Sequence, residues 1–271
     1  MRKRVLLLFL FLISMFLCCA CGQKSEGESM QELPVITVGG VIYEPYFYQR
    51  IDGEYTGIDI ELATEAFRRM GYRPVFLQLD LEQREQFLED GRIDCIWSCL
   101  TMEERKEDYL WAGPYLYTRR VVVVPEESRI EQLSDLKNKS VAVQANSTSE
   151  AVFLNETITE LSQVEQIYSY RALGQAFTAL RKGYVDAVAG HEAALLIYTQ
   201  EYPDQYRYLN LSAERSKLGV AFSKEGDAAL AEELTKTLQE MTEDGTVAEI
   251  IAKYGLDVEK NIYTEEIANE K

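Results

Sequence analysis

The chain is poor in the side chains that hold metals and cross-link folds. Histidine occurs once, at His191. Of five cysteines, Cys18, Cys19 and Cys21 fall at the N-terminal end and only Cys95 and Cys99 remain in the body. A Cys-x3-Cys pair with a single histidine elsewhere lacks the further ligands a zinc site needs, so no metal and no cofactor are expected. On one extended strand the two cysteines lie roughly 13 Å apart, too far for a disulfide; they read as free, buried thiols. Positive charge is also scarce, 28 Lys and Arg against 45 Asp and Glu, for a net charge of −17. Such a surface repels nucleic acid and anionic lipid. The apolar run from Val5 to Ala20 falls short of the ~20 residues that cross a bilayer as a helix.

What that run does fit is a secretory leader. Met1-Arg2-Lys3-Arg4 is basic, the middle is apolar, and Ala20 stands before Cys21. Ala20-Cys21-Gly22 looks like a bacterial lipoprotein processing site with Cys21 as the lipid acceptor, although Cys18 stands where Leu is usual. The rival reading is an uncleaved N-terminal anchor. Either way the body lies on the extracytoplasmic face of the cell membrane, held there by its N-terminus. Loss of Arg2, Lys3 and Arg4 with residues 1–20 takes the charge from −17 to about −20. Residues 21–33 are polar, carry no periodicity and read as a flexible tether.

From residue 34 the pattern alternates. Val35 to Ile42 reads as a strand. Gly57 opens a helix to Met70 with Ile58, Leu62, Ala66, Phe67 and Met70 on one face. A strand from Pro74 to Leu79, a helix from about Leu81 to Glu89 and a strand from Ile93 to Leu100 continue the series. The four valines 121–124 read as a strand buried on both faces. A second series follows: strand Ser140 to Gln144, a helix from near Ser149, helix Leu173 to Lys182, strand Val185 to Gly190, a helix from His191-Glu192 to about Thr199 and strand Lys217 to Ser223. Helices Ala228 to Thr242 and Thr246 to Tyr254 close the fold. Strands alternating with helices predict an α/β protein with mostly parallel sheets covered on both faces. The two series predict two lobes joined by two crossings.

Candidate binding residues gather at the carboxyl ends of the predicted strands, where open α/β sheets take ligands. Ser98 and Thr101 form a polar lip at the end of one strand. Thr101 can cap the turn that starts there, and Arg105 follows one turn later. A guanidinium fork with hydroxyls beside it suits a carboxylate; an ordinary strand followed by a solvated, charged turn reads equally well. Tyr43-Glu44-Pro45-Tyr46-Phe47-Tyr48 is an aromatic cluster that serves either core or pocket, with Tyr43 and Tyr46 placed to face a ligand. Asn146-Ser147-Thr148 lead into a helix and offer either an anion seat or a plain N-cap.

Taken together, these segments resemble the bacterial extracellular solute-binding proteins of family 3, over essentially all of Val35 to Gly255. The likeness rests on Tyr43-Glu44-Pro45-Tyr46, Gly57-Ile58-Asp59-Ile60-Glu61-Leu62-Ala63, Gly91-Arg92-Ile93-Asp94, Arg105 ahead of Gly113-Pro114-Tyr115, Asp135-Leu136-Lys137, Val141 to Gln144 ahead of Ser147-Thr148, Gly183 to Ala187, and Asp244-Gly245-Thr246. The resemblance implies a two-lobe, type II periplasmic-binding-protein-like fold. Lobe 1 would be 34–119 plus 220–257, lobe 2 would be 120–219, and 258–271 a loose tail. It implies a monomeric receptor that closes on an amino-acid-like solute and delivers it to an ABC importer permease. It also implies that Tyr43 stacks on the solute, that Thr101 and the backbone near Cys99 bind its polar head, that Arg105 pairs its α-carboxylate and that Thr148 adds a bond from the second lobe. Two departures stand out. The segment from Thr101 to Arg105 is one residue short, and His191 occupies the position that usually holds an Asp for the α-amino group. Glu192 could supply that charge if the helix start is rotated; otherwise the solute lacks an α-amine. Sensory lobes without an importer and cyclohexadienyl or arogenate dehydratases use the same fold, and an enzyme would need His191 or Glu192 as its acid.

Overall fold

A computed structural model describes residues 33–155, 158–161, 163–200, 202–211 and 215–264. The expected leader 1–20, the expected lipid acceptor Cys21 and most of the expected tether, up to residue 32, lie outside the described residues, as do residues 265–271. In chain order the strands and helices are β1 Val35–Gly40, β2 Tyr48–Gln49, β3 Tyr55–Thr56, α1 Ile58–Arg69, β4 Arg73–Gln78, α2 Arg84–Glu89, β5 Cys95–Thr101, β6 Leu110–Thr118 and β7 Arg120–Pro125. Then come β8 Ser140–Gln144, α3 Thr148–Leu154, β9 Gln166–Tyr170, α4 Leu173–Arg181, β10 Ala187–His191, α5 Glu192–Thr199, β11 Tyr206–Asn210, β12 Ser216–Phe222, α6 Ala228–Glu243, α7 Thr246–Lys253 and α8 Val258–Asn261. Short 3-10 turns sit at Glu103–Arg105, Leu133–Leu136 and Thr159–Leu161. No helix among the described residues is long and apolar enough to cross a membrane.

Two five-stranded sheets organise these elements, in the orders β4-β1-β5-β12-β6 and β11-β7-β10-β8-β9. Each contains two parallel pairings, β1 with β4 and β5 in the first, β8 with β9 and β10 in the second. The other pairings, β12 with β5 and β6 and β7 with β10 and β11, are antiparallel. The sheets are thus evenly mixed where mostly parallel ones were expected. The reason is topological: the antiparallel strands flank the crossings, where the chain enters one lobe in the direction opposite to its exit from the other. One crossing is Arg119, between β6 and β7; the other lies between β11 and β12. Because β12 begins at Ser216 in the first sheet, lobe 1 resumes there and not at residue 220.

Burial follows the apolar pattern. In β7, Val121 and Val123 pack with Leu173, Phe177, Leu180 and Leu195 on one face of the second sheet, while Val122 and Val124 pack with Ile130, Leu136 and Phe153 on the other. Alternation along a strand sends successive side chains to opposite faces, so four consecutive valines need helices or turns on both. In the first lobe, Ile58, Leu62, Ala63, Ala66 and Phe67 of α1 pack on Trp97, Tyr115 and Leu234. The edge strands β9 and β11 and the outer strand β6 were not legible. β9 and β11 are rich in Tyr and polar residues, because an edge buries less and needs less apolar content; in β6 Gly113-Pro114 interrupts an otherwise apolar, well-buried run.

The C-terminal residues correct the expectation of a loose tail. Asp257 caps α8 through Lys260 N, Ile262 bridges to Leu116 on β6, and the rings of Tyr263 and Tyr117 lie 5.2 Å apart. Beyond residue 264 nothing is described.

Candidate functional site

The lobe 1 wall is shaped by an irregularity in β5. Its pairing with β12 shifts register, with Leu100 opposite Gly219 and Ile96 opposite Ala221. Extra residues on one strand bend it and leave groups unpaired. Ser98 and Cys99 lie in this bulge, and Cys99 takes a left-handed backbone at φ 49°. That conformation is costly for a residue other than Gly and is held by Asp59 of α1. The Asp59 carboxylate, 1% exposed, accepts the Cys99 N–H at 2.6 Å through Oδ2 and the Tyr115 hydroxyl at 2.8 Å through Oδ1. Burial pushes its pKa up to about 7, against the lowering effect of those hydrogen bonds. Ser98 Oγ donates to Val41 O at 2.9 Å and accepts from Val41 N at 3.1 Å. Its hydroxyl therefore ties the end of β1 to β5, where a bond to ligand was expected.

Thr101 is the last residue of β5, buried and paired with Leu218; Met102, not Thr101, takes the N-cap position of the following turn. Arg105 ends that turn, half-buried, its carbonyl accepting from Trp111 Nε1 at 3.3 Å. Tyr43 rises from lobe 1 beside His191 of β10. Their rings meet edge-on at 5.8 Å, and His191 N donates to the Tyr43 hydroxyl at 3.2 Å. His191 Nδ1 lies 3.0 Å from Thr118 Oγ1, at the end of β6.

From lobe 2, Ser147 caps α3, its Oγ accepting from Glu150 N at 3.2 Å and donating to Gln144 O at 2.7 Å. Asn146 has φ 58°, a conformation Asn tolerates. Its Nδ2 donates to Glu82 Oε1 at 3.1 Å, a hydrogen bond from one lobe to the other.

Tyr43, Ser98, Cys99, Thr101, Arg105, Asn146, Ser147, Thr148 and His191 line a single cavity of about 570 Å3, counting the space at its mouth. Two expected residues are elsewhere. Tyr46 is fully buried in the lobe 1 core beneath Tyr43. Glu192 is gripped by Nε and Nη2 of Arg119, which also donates to Asn210 Oδ1 at 3.1 Å. Glu192 thus braces a crossing and is not among the cavity's lining residues. It sits one residue past the strand end, where the helix start turns it from the cleft to the hinge.

Sequence reasoning missed Gln144 and Arg84. Gln144 is buried and donates to Arg171 O at 3.3 Å; ending a parallel strand at the cleft was its only signal. Arg84 opens α2 and read as one more solvated helix residue. The cavity wall so described holds two guanidinium groups, Arg84 and Arg105, and no described carboxylate. Burial pushes the Cys99 thiol up and leaves it unreactive. Among the described residues no group of three His, Cys, Asp or Glu could hold a metal.

Two mixed sheets, two crossings and a cavity where strand ends of both meet define a two-lobed binding protein of the type II periplasmic class. The sequence pattern of the bacterial extracellular solute-binding proteins, family 3, matches residues 36–257, and the chain belongs to that family. The L-cystine-binding protein TcyA of Bacillus subtilis is 25% identical over 96% of this chain and 100% of its own length. The ABC transporter glutamine-binding protein GlnH of the same organism is 26% identical over 94% of this chain and 97% of its own. Among solved structures, an ancestral arginine-binding protein bound to arginine has a TM-score of 0.71 and 28% identity, covering 81% of this chain and 97% of that one. An ancestral amino-acid-binding protein described as a precursor of cyclohexadienyl dehydratase has a TM-score of 0.72 and 25% identity over 84% and 97%.

Proposed function

We propose that this protein is the extracytoplasmic receptor of an ABC importer, tethered to the membrane by lipid on Cys21, and that it captures an amino acid or close analogue through its carboxylate. One observation carries the reading: Thr101 and Arg105 from one lobe and Asn146, Ser147, Thr148 and His191 from the other converge on one cavity. Arg105 supplies a bidentate fork for the carboxylate, Thr101 and the bulged backbone at Cys99 supply neighbouring polar groups, and Thr148 completes the seat from across the cleft. Only the closed arrangement brings both walls to the solute, so binding draws the lobes together. The closed, monomeric form then presents itself to the permease. Relatives named for cystine and glutamine binding support the solute class.

A dehydratase on this fold would need an acid beside the ligand. Glu192 is committed to Arg119, and the His191 imidazole is bonded through Nδ1 to Thr118, which favours binding over turnover.

Isothermal calorimetry against the common amino acids and small dicarboxylates tests the reading. At least one binds at micromolar Kd or tighter, and Arg105→Ala weakens it by about 2–5 kcal/mol, the usual loss for removing one partner of a buried charge pair. If no carboxylate-bearing solute binds, the reading falls.

A further inference from the structure

Arg84 has no task in the function just proposed, yet it is placed at the heart of the site. Its side chain is 10% exposed and lines the cavity from lobe 1, beside Leu81 and Ile96. Only Nε is engaged, by Glu85 Oε1 at 2.7 Å. The two Nη groups carry no hydrogen bond in the structure. Glu85 is itself nearly half exposed and shares the same oxygen with the Tyr109 hydroxyl at 2.9 Å. A guanidinium presents five N–H donors in a fixed fork. The carboxylate of Glu85 engages Arg84 only at Nε, which leaves the Nη donors for a solute in the cavity that Arg84 lines.

The surroundings sharpen the point. Arg105 lines the same cavity, and both guanidinium groups act on the Tyr109 phenol, opposing the rise that burial and Glu85 impose on it. Two cations thus share one end of a cavity whose described lining contains no carboxylate. Two guanidinium groups on one cavity favour a solute that brings an anionic group to each. On the opposite wall, His191 is an imidazole bonded to Thr118, not a counter-ion for ammonium. Carboxylates line the adjoining cavities: Glu44 in one that shares Tyr43 and Gln144, Asp108 and Glu150 in one that shares Arg105, Asn146, Ser147 and Thr148. A solute with a cationic arm would have to extend out of this cavity into one of those to meet a carboxylate.

We infer that the solute carries two negative charges, with Arg105 holding one anionic group and Arg84 the other: an acidic amino acid or a short dicarboxylate. Arg84 is then the residue that separates acidic solutes from their neutral and basic counterparts. This rests on the receptor reading above and narrows its solute class.

Calorimetry on the purified chain with glutamate, aspartate, glutarate, glutamine and arginine distinguishes the cases. Glutamate, aspartate or glutarate binds at least tenfold more tightly than glutamine, and arginine binds more weakly than glutamine. Preference for glutamate over glutarate identifies an amino acid, and the reverse a dicarboxylate; either supports the assignment. Arg84→Gln collapses the acidic-to-neutral affinity ratio towards one, whereas Arg84→Lys, which keeps the charge without the fork, retains part of it. Thermal melts of both variants, and of Arg84→Met, separate loss of charge from loss of fold. Glutamine or arginine binding as tightly as glutamate overturns the inference while leaving the receptor function intact, as does an Arg84→Gln variant that folds and keeps the wild-type ratio. Failure of every solute to bind overturns the receptor reading itself, and this inference with it.

Discussion

Asp59 on the first long helix holds the Cys99 N–H at 2.6 Å, and through it the bulge that gives the cavity its lobe 1 wall. The carboxylate is sealed from water and shared with the Tyr115 hydroxyl. A residue read as one polar position of an amphipathic helix therefore sets the backbone against which a solute sits.

Asp59→Ala leaves a buried N–H and a buried hydroxyl without their acceptor. Each orphaned group costs about 1–3 kcal/mol, so urea denaturation should show a loss of about 2–5 kcal/mol, together with weaker solute binding. Asp59→Asn keeps an acceptor for Cys99 and costs less.

The same residue gives a pH signature. Its folded pKa, about 7, lies above the usual value near 3.8, so between those limits the folded state binds more protons than the unfolded one. Its contribution to stability is greatest below about pH 4 and declines as pH rises to about 7, by at most roughly 1.4 kcal/mol per pH unit. Denaturation midpoints measured from pH 4 to 8 should carry this slope in the wild type and lose it in Asp59→Asn.

The Asn146–Glu82 hydrogen bond spans the two lobes at the rim of the cavity. Asn146→Gly preserves the left-handed backbone and removes only the side chain. Stopped-flow release of bound solute should quicken by a few fold, matching a lost exposed hydrogen bond of about 0.5–1.5 kcal/mol. Glu82→Ala should do the same, and the double variant should add little. Unchanged release in both would show that the bond does not hold the cleft shut.

Tyr46 and Tyr43 should separate cleanly. The Tyr46 hydroxyl is buried beside Thr118 and Cys99 without a well-formed hydrogen bond among the described residues, so Tyr46→Phe should change stability by less than about 1 kcal/mol and leave solute affinity alone. Tyr43→Phe removes the bond from His191 N across the cleft and should weaken binding about three- to tenfold in the same calorimetric assay.

Arg119→Ala strips the partner from Glu192 and frees Asn210 at the first crossing. A partly exposed ion pair contributes about 1 kcal/mol, so the melting temperature should fall by only a few degrees. Solute affinity should fall with it, because the crossing sets how the two walls meet.

The linear order of residues determined the layered α/β architecture, the two-lobe division and most of the cavity. Those features rest on local signals: four valines in a row, an apolar stripe from Ile58 to Phe67, an Arg after a strand end, a hydroxyl pair ahead of a helix. Local signals survive translation into structure because periodicity and capping act over a few residues. Tertiary structure alone decided which residue faces the cleft: Tyr43 and not Tyr46, three positions on in the same loop, and His191 and not its neighbour Glu192, where one residue of rotation at a strand end swaps cleft for hinge. It alone brought Arg84 to Arg105, twenty-one positions along the chain. In sequence a lone arginine on a short polar helix is indistinguishable from solvent-facing charge. Its burial, and its place on the cavity wall, come from the packing of the helix against the end of a strand.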